Sequence, residues 1–133
     1  MVDFALAPAP LAASDEADQV AVKAFVRIMD FWKVPREQAA SLIQESVSTY
    51  ARMKRRTWTG TLKDDQRLRV SAIIGLYKGL HLYFSDALAD EWPRRPNDGP
   101  LFRGLSPTDF MVRGGVPAIL DSRTYVDAIR GGI

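Results

Sequence analysis

The stretch Ser41–Gly60, "SLIQESVSTYARMKRRTWTG", decides how the rest of the chain is read. Pro35 suits the first turn of a short helix, because the N–H it lacks is not needed there. That helix runs to about Gln44 and carries the small residues Ala39 and Ala40. A tight turn follows, and Ser46 is a good N-cap for a further helix of about ten residues with Tyr50 and Met53 on its inner face. The exposed side of this second helix turns basic and ends in Lys54, Arg55 and Arg56.

Working outward, Val22, Phe25, Met29 and Trp32 follow helical spacing, so Asp18–Trp32 reads as an amphipathic helix. Together the three short helices match the helix-turn-helix pattern. In that geometry Val47, Ser48, Thr49 and Arg52 face the bases of the major groove, and Lys54, Arg55 and Arg56 face the phosphates. The DNA-binding candidates are therefore Ser48, Thr49, Arg52, Lys54, Arg55 and Arg56. The competing reading is a solvated helix end whose cations suit the helix dipole. Gln44 stands where a turn glycine is common, and Glu45 where an apolar plug is common.

Thr61 and Asp64 form an Asp version of a capping box and open the longest element, Asp64–Phe84. From Val70 onward that helix is apolar on most sides, which predicts enclosure by other helices or sharing with a second chain. Gly75 and Gly79 each cost it about 1 kcal/mol relative to alanine, a cost that close helix–helix approach offsets. Asp86–Trp92 reads as a short helix stopped by Pro93. The loop "PRRPNDGPLFRGLSP" follows, with Leu101 and Phe102 dipping into the core. Ser106, Pro107 and Asp109 start another helix that ends at Gly114–Gly115, and Pro117 begins the last, to about Arg130. The fold is all-α. Residues 1–17 read as a flexible tail, 18–62 as a helix-turn-helix domain, and 63–133 as the long helix with a small helical domain.

Composition narrows the function. The chain has 133 residues, 47% hydrophobic and 26% charged, with no cysteine, which is ordinary for an intracellular globular protein. It has no apolar run of the roughly 18 residues a membrane span needs. The net charge is only +2, but Arg52 to Lys63 holds five basic residues and no acidic one, a local patch suited to phosphates. Chemistry is sparse. His81 is the only histidine and reads as a packing residue, no phosphate cradle sits between a strand and a helix, and no metal-ligating pair exists. An enzyme, a metal site and a cofactor are not expected. In the last helix Val116, Ile119, Val126, Ile129 and Ile133 make an inward stripe. Arg123, Asp127 and Arg130 stack on another face, either as a solvated i,i+4 pair with a further arginine or as a presented polar surface.

The residues "FWKVPREQAASLI", then Ser46, Ser48, Thr49, Tyr50, Arg52 and Lys54, and later "GLYKGLHLYF", "WPRRPN" and "LFRGLSPTDFMVRGGVPAILDSRTYVDAIRGG", resemble antitoxins of the Xre/MbcA/ParS type. The resemblance runs from about Asp18 to the end. It implies an all-α, often homodimeric antitoxin that binds a RES-domain, NAD-consuming toxin through its C-terminal domain and blocks the active site with its last helix and tail. It also implies repression of its own operon through operator DNA. By position it makes Arg123, Tyr125, Asp127, Arg130, Gly131 and Gly132 the toxin-binding surface, and Ser106, Pro107, Asp109, Gly114 and Gly115 builders of the domain. The alternative is a standalone dimeric helix-turn-helix regulator.

Overall fold

A computed structural model describes residues 15–130, the side chain of Arg130 excepted. The described residues form helices α1 (Asp15–Phe31), α2 (Arg36–Ile43), α3 (Val47–Lys54), α4 (Asp64–Tyr83) and α5 (Asp86–Glu91). A 3-10 turn (Trp92–Arg94) and α6 (Pro107–Arg130) follow. No strand occurs among them, and none of these helices is long and apolar enough to cross a membrane. α1 starts three residues earlier than its spacing suggests, with Asp15, Glu16 and Asp18 in its first turn, where the helix dipole favours carboxylates. The expected tail 1–17 lies otherwise outside the described residues.

One continuous core joins the helix-turn-helix to everything after it. Phe25 and Met29 of α1, Trp32 just past its end, Leu42 and Ile43 of α2, and Ile73, Leu76 and Leu80 of α4 are all fully buried in it. α4 is the central element, packed against α1, α2, α5 and α6. Its enclosure is incomplete at the C-terminal end, where Leu82 is 72% and Tyr83 49% exposed.

Local signals explain several starts. Ser46 caps α3 as expected, its Oγ accepting from the Thr49 N–H at 3.1 Å, and Ser106 caps α6 by accepting from the Asp109 N–H at 3.1 Å. The cap of α4 differs from the expected Thr61–Asp64 box: Lys63 is the N-cap, and Gln66 Oε1 accepts its N–H at 2.9 Å. Gln66 is chosen because it is buried and does a second job. Its Nε2 donates to the Ile43 carbonyl at 3.0 Å and to Glu45 Oε2 at 2.8 Å, so it ties the turn between α2 and α3 to α4. Glu45 thus serves as an acceptor where an apolar plug is usual.

The ends of α1, α2 and α3 share one device. In each, a left-handed residue follows the helix: Lys33 (φ 55°), Gln44 (φ 63°) and Arg56 (φ 63°). The N–H of the next residue reaches back five positions: Val34 to Met29, Glu45 to Ala40, Thr57 to Arg52, at 2.9–3.0 Å. This is the Schellman closure, which normally selects glycine. Gln44 therefore does occupy a glycine's place, and Gln44→Gly is expected to raise stability by up to about 1 kcal/mol, relief of left-handed strain outweighing the looser unfolded chain. A lower urea midpoint for the variant would contradict this.

α6 consists of two helical segments, 107–114 and 116–130, hinged at Gly115 (φ 68°, ψ −149°). The break falls where Gly114, Gly115 and Pro117 place it in the sequence. Phe102 is buried, as expected, edge-on to Trp92, Phe110 and Tyr125 with ring centroids 5.2–5.5 Å apart.

Candidate functional site

The basic end of α3 is a surface feature built on a rigid base. Tyr50 and Met53 anchor the helix in the core, while Ser48, Arg52, Lys54, Arg55 and Arg56 are exposed and Thr49 is half-buried. At its N-terminal end the hydroxyls bond to each other: Ser46 Oγ donates to Thr49 Oγ1 at 3.0 Å, and Arg52 Nη2 donates to the same Thr49 oxygen at 3.3 Å. Thr49 is thus engaged within the helix, Ser48 Oγ also lies 3.3 Å from Ser46 Oγ, and the rest of the Arg52 guanidinium is left to face outward. Val47, 39% exposed, adds an apolar spot.

The cations differ in how they are held. Lys54 pairs with Asp30 of α1 at 3.3 Å, both side chains about half exposed, an interaction worth about 0–1 kcal/mol and easily exchanged for a phosphate. Arg36, a residue the sequence reading did not single out, joins Lys54 and Arg55 along a shallow groove of about 530 Å³ between α2 and α3. Only placement of α2 beside α3 brings it there. The groove is net cationic, with Arg36, Lys54 and Arg55 set against Glu37 on the same wall.

The C-terminal surface is changed more by the structure. Arg123 and Asp127 do pair, Nε to Oδ2 at 3.3 Å, but their side chains are only 16% and 5% exposed. They are not a solvated or presented face. The reason is Gly75: a Cβ there would overlap the Arg123 guanidinium, so the missing side chain lets α6 lay its arginine on α4. Tyr125 is also inward, stacked on Trp92 at 6.4 Å and edge-on to Phe102 at 5.2 Å. Of the inward stripe, Ile119 and Val126 are buried together with Ala118 and Ser122, and Val116 and Ile129 are half-buried. The side chain of Arg130, and Gly131, Gly132 and Ile133, lie outside the described residues.

His81 is more than packing. It stacks on Tyr77 with ring centroids 4.2 Å apart. Its Nδ1 lies 2.8 Å from Asp86 Oδ1 and its Nε2 2.8 Å from Asp90 Oδ1. Two carboxylates at both nitrogens call for the doubly protonated ring. Burial alone would lower its pKa, but the hydrogen bonds the ring donates to Asp86 and Asp90, and their charges, raise it above the ordinary histidine value. A raised folded pKa means the stabilisation is complete below the unfolded value of ~6.5 and is lost as pH rises through the folded one. The melting temperature of wild type should fall relative to His81→Gln as pH is raised from the acid side through neutrality. Parallel curves would show that the bridge contributes nothing.

A second ionic group is fully internal. Asp18 of α1 accepts from Arg67 Nε at 3.0 Å and Nη2 at 3.1 Å, and from the Leu62 N–H at 2.8 Å. The pair fixes α1 and the segment before α4 together. Gln38 Nε2 donates to Asp109 Oδ1 at 2.7 Å, linking α2 to the start of α6.

Comparison with known proteins agrees with this geometry. Residues 12–75 match the antitoxin Xre-like helix-turn-helix domain family, a span that runs past α3 into α4 and takes in Gln66 and Arg67. The uncharacterized protein y4oB of Sinorhizobium fredii (strain NBRC 101917 / NGR234) is 38% identical over 113 residues, covering 84% of each chain. That likeness is longer than the helix-turn-helix match and so takes in residues beyond it. The three-helix scaffold and its buried ties to α4 thus coincide with the matched span, and the chain carries an Xre-like helix-turn-helix antitoxin domain over residues 12–75.

Proposed function

We propose that this chain is the antitoxin of a type II pair, neutralising a RES-domain, NAD-degrading toxin by blocking its active site with the end of α6 and the residues after it. The observation that carries this reading is the Xre-like antitoxin domain at residues 12–75, joined to a last helix held firmly against α4. In this reading Arg123, Tyr125 and Asp127 set the direction of α6, since their side chains pack inward. Arg130, Gly131 and Gly132, which follow on that arm, touch the toxin. A guanidinium suits a pocket made for an anionic dinucleotide.

The same protein would repress its own operon in the cytoplasm through Ser48, Arg52, Lys54, Arg55 and Arg56 on operator DNA, as a homodimer. Exposed Leu82, Tyr83 and Leu88 favour the dimer, because exposed apolar patches mark association surfaces. The second reading, a standalone dimeric regulator, is favoured by the same cationic surface.

A tagged pull-down from cells carrying the native locus separates them. A stoichiometric partner that consumes NAD only once freed from this chain supports the antitoxin. In that complex, Arg130→Glu should restore NAD consumption while the circular dichroism of the antitoxin stays unchanged, and full neutralisation by this variant would remove Arg130 from the contact. Recovery of DNA alone supports the regulator. Neutralising Lys54, Arg55 and Arg56 should then flatten the salt dependence of DNA binding by about three charges' worth.

A further inference from the structure

A groove of about 380 Å³ runs along α1, between that helix and the stretch that ends α3 and follows it. Its floor is apolar, made by Val20 and Val26 of α1, Met53 of α3 and Trp58. Val20 is 65% exposed in it, while Val26 and Trp58 each keep 8% of their surface open. Its rim is cationic: Lys23, Arg27, Lys54 and Arg56 stand against the single carboxylate of Asp30, which is already shared with Lys54 at 3.3 Å. The walls are fixed relative to each other. Gln19 Nε2 donates to the Trp58 carbonyl at 3.2 Å and the Thr61 hydroxyl donates to Asp15, so the stretch after α3 is tied to α1.

Residues 1–14, "MVDFALAPAPLAAS", join α1 at Asp15, about one turn before the groove begins at Gln19. Residues 1–11 lie outside the span that matches the helix-turn-helix family. Their composition suits the groove. Phe4, Leu6 and Leu11 supply apolar side chains for the floor, and the one charged side chain of residues 1–14, Asp3, is opposite in sign to the rim. Pro8 and Pro10 favour an extended course, which lowers the entropy lost on docking. Length is sufficient as well. The chain from Asp15 back to Phe4 reaches ~36 Å when extended, and α1 takes only ~18 Å from Asp15 to Arg27. Being tethered, the segment meets the groove at an effective concentration on the order of millimolar, which a separate molecule must exceed.

We infer that residues 1–14 fold back along α1 and occupy this groove, with Phe4 on the floor beside Val26 and Met53, Leu11 against Val20, and Asp3 among the rim cations. The segment is then a built-in cover for an apolar surface rather than a free arm. Lys54 and Arg56 belong both to the rim and to the basic end of α3, so the docked segment borders that surface, and Asp3 competes there with any other anion. This inference is independent of the antitoxin reading.

Nuclear Overhauser contacts in the full-length, isotope-labelled protein test it. Cross-peaks are expected between the Phe4 ring and the methyl groups of Val26 and Met53. A sample mixing labelled and unlabelled chains separates contacts within one chain from contacts between two. The double variant Phe4→Ser with Leu6→Ser should abolish the cross-peaks and shift the signals of Val20, Val26 and Trp58, while those of Leu76 and Leu80 in the core stay in place. Both substitutions lie outside the core, so the fold is retained. Asp3→Lys should lower the docked fraction, and the loss should shrink as salt screens the rim. Random-coil shifts for residues 3–11 in the wild type, or groove signals unmoved by the double variant, would overturn the proposal. Cross-peaks found only between chains would overturn it too, and would assign the groove to a second copy.

Discussion

Asp18→Ala is expected to destabilise the protein by about 3–5 kcal/mol, because it leaves the Arg67 guanidinium buried with its main partner gone. Asp18 is 0% and Arg67 4% exposed, so water cannot replace the carboxylate. Arg67 Nη1 would keep its bond to Asp64 Oδ1 at 2.8 Å, but Asp64 stands in solvent and compensates little. Against a typical total of about 5–15 kcal/mol, the loss would unfold a large part of the population at 37 °C. The Leu62 N–H loses its acceptor as well. Urea denaturation followed by circular dichroism measures the effect, and a change below about 1 kcal/mol would place the pair at the level of surface ion pairs. The double variant Asp18→Leu with Arg67→Met should recover most of the loss, since well-packed apolar residues often replace a buried pair at no cost.

The same pair sets an acid limit. Burial alone would raise the Asp18 pKa, but the Arg67 hydrogen bonds, the Leu62 N–H and the Arg67 charge outweigh it and hold the carboxyl below the usual value. A depressed folded pKa contributes stability that is present above the unfolded value of ~3.9 and is lost as pH falls through the folded one. The wild type should therefore lose stability on acidification in a range where the Leu/Met double variant does not.

The second large effect belongs to Gly115. Its φ of 68° with ψ of −149° is backbone that only glycine adopts readily, and forcing a side-chain residue into it costs about 1–3 kcal/mol. Space is not the obstacle, since a Cβ there would meet only Arg69 Nη2 at 3.7 Å. Gly115→Ala should thus act through the hinge, straightening or swinging the 116–130 segment and pulling Arg123 off Gly75. The expected result is a lower melting temperature and, if the chain is the antitoxin proposed above, weaker neutralisation of its toxin. Equal stability and equal neutralisation would show that the hinge is not needed.

Much of this molecule was set by local sequence. The stripe Val22, Phe25, Met29 and Trp32 determined α1, Ser46 started α3, and Ser106 with Pro107 and Asp109 started α6, because periodicity and caps act within one or two turns. The cationic run at Lys54–Arg56 was likewise legible, since it belongs to a single helix end. What the tertiary structure decided are the partners of charges and the fate of helix ends. Asp18 and Arg67 are 49 positions apart, and nothing local marks either as buried. Arg123 reads as a solvated residue until Gly75 on another helix gives it room, and Arg36 reaches the cationic groove only because α2 lies beside α3. Lys33, Gln44 and Arg56 end their helices in a conformation that their own side chains disfavour. They do so because core packing and the back-reaching N–H bonds together outweigh about 1 kcal/mol of strain at each.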